Sequence, residues 1–367
     1  MNATRPDRRL VTRSRAREGS ALAGAEREVA RPWRQAWRRV AFLVAAALVV
    51  VAVAGGVSGV AGIGERLSAG RPTWLILAGA FELLSIVGFL AVFELLFGTW
   101  LPRTRRLRIG LVVRAATILL PAGGLVAIGA GARAMRGKGM PAAKTGSRML
   151  AFLLITNAPN VVVLGGLGVA LGIGLFDGPH DLALTLVPGL IAIAVIAATW
   201  QIPRLSHQRV RDATHRFRHL SRAAAQLELG VIEAQALLRA RDRKLVGTFA
   251  YYALDNAVLW ATFKAFAHAQ PPVATLVMAY LIGSSAGSIP LPAGIGAVEG
   301  GMIGLLVLYG APAICAGVAV LAYRAVSTGL PLALGGVGLV ALGRPLLRQR
   351  LATDGARAGL RGRRVST

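Results

Sequence analysis

The sequence predicts an all-α polytopic membrane protein with about eight apolar segments, of which six are full spans and two are broken, re-entrant elements. The 367-residue chain is 55% hydrophobic, and several of its apolar runs reach the roughly 20 residues that a transmembrane helix needs. Its formal net charge of +26 is concentrated between those runs. Because the apolar stretches are continuous rather than alternating, a membrane β-barrel is excluded.

The segments follow from composition alone. The apolar ones cover residues 41–62, 73–97, 109–132, 149–175, 182–202, 246–268, 273–310 and 313–342. Lys and Arg collect in the stretches between some of them, at 1–40, 98–108, 133–148, 203–245 and after 343. The other connections, at 63–72, 176–181 and 269–272, are short and poor in basic residues.

The first broken element is predicted at 109–132. Basic loops lie on the cytoplasmic side of a membrane, so both termini and the loops 98–108 and 133–148 are expected inside. Segment 109–132 then starts and ends on one side and must turn back within the membrane. The helix breakers Pro121, Gly123 and Gly124 stand at its midpoint. The alternative is a kinked full span followed by a basic outer loop.

The second broken element is predicted at 273–310. The expected orientation of its neighbours requires it to leave the outer side and return there, with a turn at 290–296. Pro292 and Gly294 lie in that turn. Interrupted helices in corresponding halves of a membrane protein indicate a transport site near the midplane, so the two elements are expected to form an inverted repeat around such a site.

Three stretches are expected outside the membrane. Residues 1–40 are interpreted as a disordered basic cytoplasmic tail, and 343–367 as a second basic tail, flanking a transmembrane domain at 41–342. Within that domain, 203–245 reads as a cationic amphipathic segment on the cytoplasmic face. The tails and this segment are expected to contact anionic lipid headgroups. For 203–245, packing against the cytoplasmic ends of the bundle is the alternative.

Ionisable side chains within membrane spans are costly and usually face the bundle interior or a water-filled cavity. One hypothesis is that the acids and arginines pair with each other and only hold helices in register. The other is that the arginines present their guanidinium groups to a phosphate, while the acids orient them. The polar candidates are Glu82, Arg114, Asn157, Asp255, Glu299 and Arg324.

No motif indicates catalysis. The chain has no P-loop, dinucleotide fingerprint or nucleophile elbow, and its five histidines have no Cys or acidic residues at metal-ligand spacing. The single cysteine, Cys315, allows no intrachain disulfide. We therefore expect no cofactor, no metal, no enzymatic activity and, because the positive charge follows membrane topology, no nucleic-acid partner.

The stretch 289–299, followed by Tyr309-Gly310 and Tyr323-Arg324, resembles the flippase-like family, which is the lysylphosphatidylglycerol synthase transmembrane family of bacterial inner-membrane proteins. Residues 119–124 resemble its upstream Pro-Gly element. Where many members continue into an acidic residue and an Arg, this chain has Leu125-Val126-Ala127. The resemblance implies functional roles for Pro121, Gly123, Gly124, Pro292, Gly294, Gly296, Glu299 and Arg324.

The resemblance implies a multi-pass protein of the bacterial inner membrane that acts on lipids. We expect a flippase that moves a phospholipid or lipid-linked headgroup between leaflets. The soluble aminoacyl-transferase domain of fused synthases is not seen, so lipid synthesis is not expected. One alternative is an accessory subunit that partners a lipid- or glycan-synthesis enzyme without transporting anything. A membrane-embedded lipid-modifying enzyme is the third hypothesis.

Overall fold

The computed structural model describes residues 70–99, 101–119, 142–178, 181–205, 218–266, 270–286 and 296–362, all within one compact unit, Ala61–Thr367. The described secondary structure is helical. The α-helices are α1 Pro72–Phe97, α2 Arg103–Leu119, α3 Ala142–Gly172, α4 Leu182–Leu205, α5 Arg218–Ala240, α6 Val246–Phe266, α7 Val273–Ser285, α8 Ala297–Leu308 and α9 Ala313–Gly362. One 3-10 turn, Arg243–Leu245, connects α5 to α6.

Four of the described helices are long and apolar enough to cross a membrane: α1, α3, α4 and the part of α9 up to Ala341. They confirm the predicted all-α polytopic membrane protein. Helix α6 coincides with the predicted span 246–268, but polar side chains interrupt its apolar residues. The predicted span 41–62 lies outside the described residues. The last predicted span ended at 342, whereas α9 continues as a helix to Gly362.

Helices α1 and α6 form an antiparallel pair at very close range. At one end, the backbone N–H of Arg71 donates to the Ala265 carbonyl at 3.2 Å, and at the other, Lys244 lies 3.4 Å from Glu94. Near that second end, a Cβ added to Gly88 would lie only 2.7 Å from the Gly247 carbonyl oxygen. The absence of side chains at both glycines allows this contact and fixes the distance between the two helices.

Helices α2 and α3 both begin at the end of the bundle where α1 ends. Arg106 on α2 lies 3.2 Å from Glu94, and Arg148 on α3 donates to the Leu96 carbonyl at 2.8 Å. The first turns of α2 and of α3 therefore lie at the same end of the bundle. The predicted turn at Pro121, Gly123 and Gly124, which would explain this placement, lies outside the described residues.

The start of α2 differs from the predicted one. The sequence placed residues 98–108 in a loop, but α2 begins at Arg103, directly after Pro102. Proline is well tolerated at the beginning of a helix, and arginine is a good helix former. The first turns of α2 therefore carry the basic residues that were assigned to the loop.

The segment 273–310 forms two short helices that pack against each other. A Cβ on Gly283 of α7 would lie 2.8 Å from the backbone nitrogen of Met302 on α8. With 13 and 12 residues, each helix is about 18–20 Å long, which is shorter than the roughly 30 Å hydrocarbon core of a bilayer. The two helices confirm a break in this segment.

Both ends of this helix pair lie near the α3–α4 connection. A Cβ on Gly178 would lie 3.3 Å from the Thr275 hydroxyl at the start of α7. After α8, the Tyr309 hydroxyl donates to the Leu184 carbonyl at 3.0 Å. The pair α7–α8 thus leaves and rejoins the end of the bundle opposite to the one where α2 and α3 begin, since α3 runs from one end to the other.

Helix α5 packs against α3, as the alternative interpretation of 203–245 predicted. Val231 and Ala234 are buried, and a Cβ on Gly230 would lie 2.7 Å from the Leu150 side chain. Arg148 and Glu233 form an ion pair at 2.8 Å. Leu229 and Ile232 are exposed, so contact between this helix and a lipid surface remains a prediction.

We expect Gly88→Ala to lower stability, because the new methyl group would clash with the α6 backbone. Overpacking of this kind costs about 1–3 kcal/mol. Gly79→Ala on the same helix is the matched control: its Cβ would meet nothing within 4 Å, so it should be neutral or stabilise by up to about 1 kcal/mol. The measurement is the thermal unfolding midpoint of both variants in one detergent; equal midpoints would contradict the close α1–α6 contact.

Candidate functional site

A buried ion pair joins α1 to α2. Glu82 is fully buried, and its Oε1 lies 3.4 Å from Nη2 of Arg114, which is 6% exposed. The Arg114 guanidinium also lies over the Tyr251 ring, 4.9 Å from the centroid, and 5.8 Å from that of Phe89. Since each charged residue is about ten residues from a helix end, both lie roughly 15 Å along their helices, near the middle of the bundle.

Asp255 on α6 is held by two tyrosines from other helices. Tyr280 on α7 and Tyr323 on α9 both donate their hydroxyls to Oδ2 of Asp255. Asp255 is 5% exposed, and buried charge requires hydrogen-bond donors of this kind. The Asp255 carboxyl group thereby connects α6 to α7 and to α9.

Glu299 performs two structural roles at the start of α8. Its Oε2 accepts a hydrogen bond from the backbone N–H of Gly296 at 2.7 Å, which is the carboxylate half of a capping box. Its Oε1 lies 2.7 Å from Nε of Arg324 on α9. Gly296 has a φ of 86°, a left-handed conformation that glycine adopts without steric cost. The glycine and the acid three residues later together restart the helix after the break.

A cavity of about 850 Å³ lies beside these groups. Its lining includes Asp255, Ser284 and Arg324, close to the break between α7 and α8. Toward the end where α3 begins, it is bounded by Trp200 and by Gln235 of α5. The rest of its lining mixes aliphatic side chains of α3 and α4 with hydroxyl and amide groups, so that polar and apolar parts of one molecule could both find contacts.

Asn157 lies on the cavity wall in the middle of α3. Its Oδ1 accepts a hydrogen bond from the Tyr252 hydroxyl at 2.9 Å, and its Nδ2 donates to the Leu153 carbonyl at 2.8 Å. Two residues later, Pro159 removes one N–H from the helix. A second cavity, of about 210 Å³, lies between Asn157, Arg114 and Tyr251.

The structure brings most of the described candidate residues together. Glu82, Arg114 and Asp255 form one group, and Gly296, Glu299 and Arg324 form a neighbouring one. Both arginines pair with acids, as the pairing hypothesis expected, and both also line the large cavity, as the phosphate-binding hypothesis required. The candidates that lie outside the described residues are Pro121, Gly123, Gly124, Pro292 and Gly294.

Sequence reasoning missed the tyrosines. Tyr251, Tyr252 and Tyr280 line the large cavity, yet none was selected from the sequence, and Tyr323 entered only through the family motif. A signal was present for Tyr280: tyrosines of membrane proteins favour the interface with water, whereas Tyr280 stands near the middle of α7. Tyr251 and Tyr252 also precede Asp255 by four and three residues, which places them on adjoining parts of the same helix face.

In the described part of the chain, no three His, Cys, Asp or Glu side chains come together as metal ligands would. The polar groups that line the cavity are hydrogen-bond donors and acceptors, among them the two guanidinium groups that pair with acids. Such a lining can hold a charged or polar headgroup by hydrogen bonds.

The comparison with known families agrees with the architecture. The family model described as the lysylphosphatidylglycerol synthase TM region matches residues 40–335, which is most of the chain and includes every group of the candidate site. No curated protein is similar enough to add to this match. The protein is thus a multi-pass integral membrane protein related to lipid metabolism, and the chain belongs to the lysylphosphatidylglycerol synthase transmembrane family.

Proposed function

We propose that this protein is a lipid flippase of the bacterial inner membrane, which moves a phospholipid or a lipid-linked headgroup between leaflets. The observation that carries the proposal is the cavity of about 850 Å³, with Asp255 and Arg324 in its lining. Its volume is within the range of about 300–1,000 Å³ that small-molecule sites occupy. A headgroup fits such a space while its acyl chains stay in the bilayer.

The polar groups of the cavity suit a phosphate-bearing headgroup. Arg324 is paired with Glu299 through Nε and also lines the cavity, where a guanidinium can take a phosphate oxygen. Asn157, Ser284 and Ser285 on the same lining supply further donors and acceptors. The direction of movement and the energy source would then depend on gradients or on the substrate itself, since no nucleotide-binding motif is present in the sequence.

We further propose that the two broken segments enter the membrane from opposite faces. Two arrangements support this proposal: α2 and α3 both begin at one end of the bundle, and the pair α7–α8 leaves and rejoins the other. In hydrocarbon, non-helical backbone is tolerated only where protein or a water-filled cavity surrounds it. Ser284 and Ser285 at the end of α7 and Val298 at the start of α8 line the large cavity, so the described residues on both sides of the break have such surroundings. By the positive-inside rule, the end with Arg106 and Arg148 is cytoplasmic.

One observation favours a second function, that of a non-transporting accessory subunit for a lipid- or glycan-synthesis enzyme. Helix α5 exposes Leu229, 48% accessible, and Ile232, 42% accessible, at the end of the bundle that we take as cytoplasmic. Such side chains suit either a partner protein or the apolar layer beneath anionic headgroups. Stable co-purification of a synthase with a protein that moves no lipid would favour this second function.

For the flippase, we expect purified protein in liposomes to speed the movement of a fluorescent phospholipid between leaflets. Arg324→Gln should lower the rate by about 10–100-fold, because hydrogen bonds to charged groups contribute about 1.5–3 kcal/mol. Arg324→Lys should retain the ion pair with Glu299 but lose the planar fork, and should give an intermediate rate. Leaflet-resolved quenching of the fluorescence measures all three proteins.

The matched control is Arg103→Gln, which makes the same chemical change at an exposed arginine and should leave the rate unchanged. Equal rates in the wild type, Arg324→Gln and Arg324→Lys would remove Arg324 from the mechanism. A wild-type rate no higher than that of protein-free liposomes, over several phospholipids and lipid-linked glycans, would contradict the flippase function itself.

The topology gives a separate prediction. In a Cys315→Ser background, Arg136→Cys should react with a membrane-impermeant thiol reagent only from the cytoplasmic side, because α2 and α3 both begin at that end of the bundle. Asp177→Cys, in the α3–α4 connection, should react only from outside. Arg103→Cys is the cytoplasmic control. Reaction of Arg136→Cys from outside would show that 109–132 is a full span.

A further inference from the structure

Among the residues that the structure describes, the centre of the bundle contains more carboxyl groups than cations. Glu82, Asp255 and Glu299 face two arginines, Arg114 and Arg324. Glu299 and Arg324 satisfy each other at 2.7 Å, so Glu82 and Asp255 are left with the single cation Arg114. If both of these carboxyls were ionised, a net negative charge would be buried among apolar helices, where uncompensated charge is strongly disfavoured.

The hydrogen bonding of these two carboxyl groups is also incomplete. Among the described residues, Oε2 of Glu82 and Oδ1 of Asp255 are buried without a hydrogen-bond partner. The two carboxyl groups are near enough to interact electrostatically, and both act on the guanidinium of Arg114. Ionised carboxylates have only acceptor atoms, so two of them cannot bond to one another. A single proton on either group turns it into a donor, which is what the unpartnered oxygens lack.

We propose that Glu82 and Asp255 form a proton-binding site, in which the two carboxyl groups share one proton. With that proton, Glu82, Asp255 and Arg114 together carry no net charge. The pair then behaves as one acid, as do strongly interacting carboxyl pairs in other proteins.

The neighbouring groups favour a proton over a metal cation. The guanidinium of Arg114 and the rings of Tyr251 and Tyr252 on α6 are neighbours of the carboxyl pair. Tyr280 and Tyr323 donate their hydroxyl hydrogens to Asp255. Arg324 is close to Tyr323. These groups offer positive charge and donated hydrogens, whereas hard metal cations require six or more oxygen ligands.

The large cavity gives the site access to water at Asp255, which is part of the cavity lining, whereas Glu82 is fully buried. We therefore expect a proton to reach the pair through Asp255. Because Tyr280 of α7 donates to Asp255, the occupancy of the site acts directly on the α7–α8 pair. Any effect of this on lipid movement rests on the proposed function, but proton binding itself does not.

The experiment is infrared spectroscopy of the purified full chain in lipid nanodiscs. At neutral pH, the wild type should show the carbonyl stretch of a buried protonated carboxyl group, which shifts when the protein is transferred to D₂O. Glu82→Gln and Asp255→Asn should each abolish this band, because the remaining acid then ionises opposite Arg114. Both substitutions preserve the size of the side chain.

Glu94→Gln, at the partly exposed end of α1, is the control and should leave the band unchanged. Absence of the band in the wild type at neutral pH would overturn the proposal without any variant being needed. Persistence of the band in both variants would place the proton elsewhere and overturn it too. Loss of the band on adding sodium ions would show a cation site in place of a proton site. None of these outcomes depends on lipid transport.

Discussion

The compensation of buried charge is the constraint on which the arrangement of this bundle depends. Among the described residues, five ionisable side chains lie near the middle of the bundle, and each meets a partner from another helix. Glu82 on α1 meets Arg114 on α2, and Glu299 on α8 meets Arg324 on α9. Because an isolated charge in hydrocarbon is costly, these helices gain from assembling in one relative position.

Helices α2 and α8 occupy comparable positions with respect to those pairs. Arg114 stands on α2, which begins at the same end of the bundle as α3. Glu299 stands at the start of α8, the second helix of the pair at the opposite end. Each of these helices places one charged group against a membrane-length helix, α1 in one case and α9 in the other. The arginines of both pairs line the large cavity.

The sequence predicted well whatever depends on composition and on helix breakers. The apolar runs corresponding to α1, α3, α4 and α9 predicted membrane-length helices, and Pro-Gly residues between 290 and 296 predicted the break between α7 and α8. The charged residues were selected because ionisable groups are rare in such runs. In each case the physical cause is local, so the signal is present in the sequence itself.

Other features depend on contacts that no linear pattern reveals. The sequence could not indicate that Gly88 would face Gly247, since a close helix contact requires both partners to be known. Nor did it show that Tyr280 and Tyr323, 43 positions apart, would bind the same carboxyl oxygen. The early start of α2 at Arg103 was missed because basic residues beside a membrane were interpreted as a loop, although arginine favours helices.

The double engagement of Glu299 has a consequence for how firmly any anion can be held. An anion that binds Arg324 shares the guanidinium with a carboxylate that already contacts Nε and whose other oxygen accepts from the Gly296 backbone. Part of the positive charge is therefore already compensated, which limits the affinity for a second anion. Such an arrangement favours weak and readily reversible binding of an anion over tight binding.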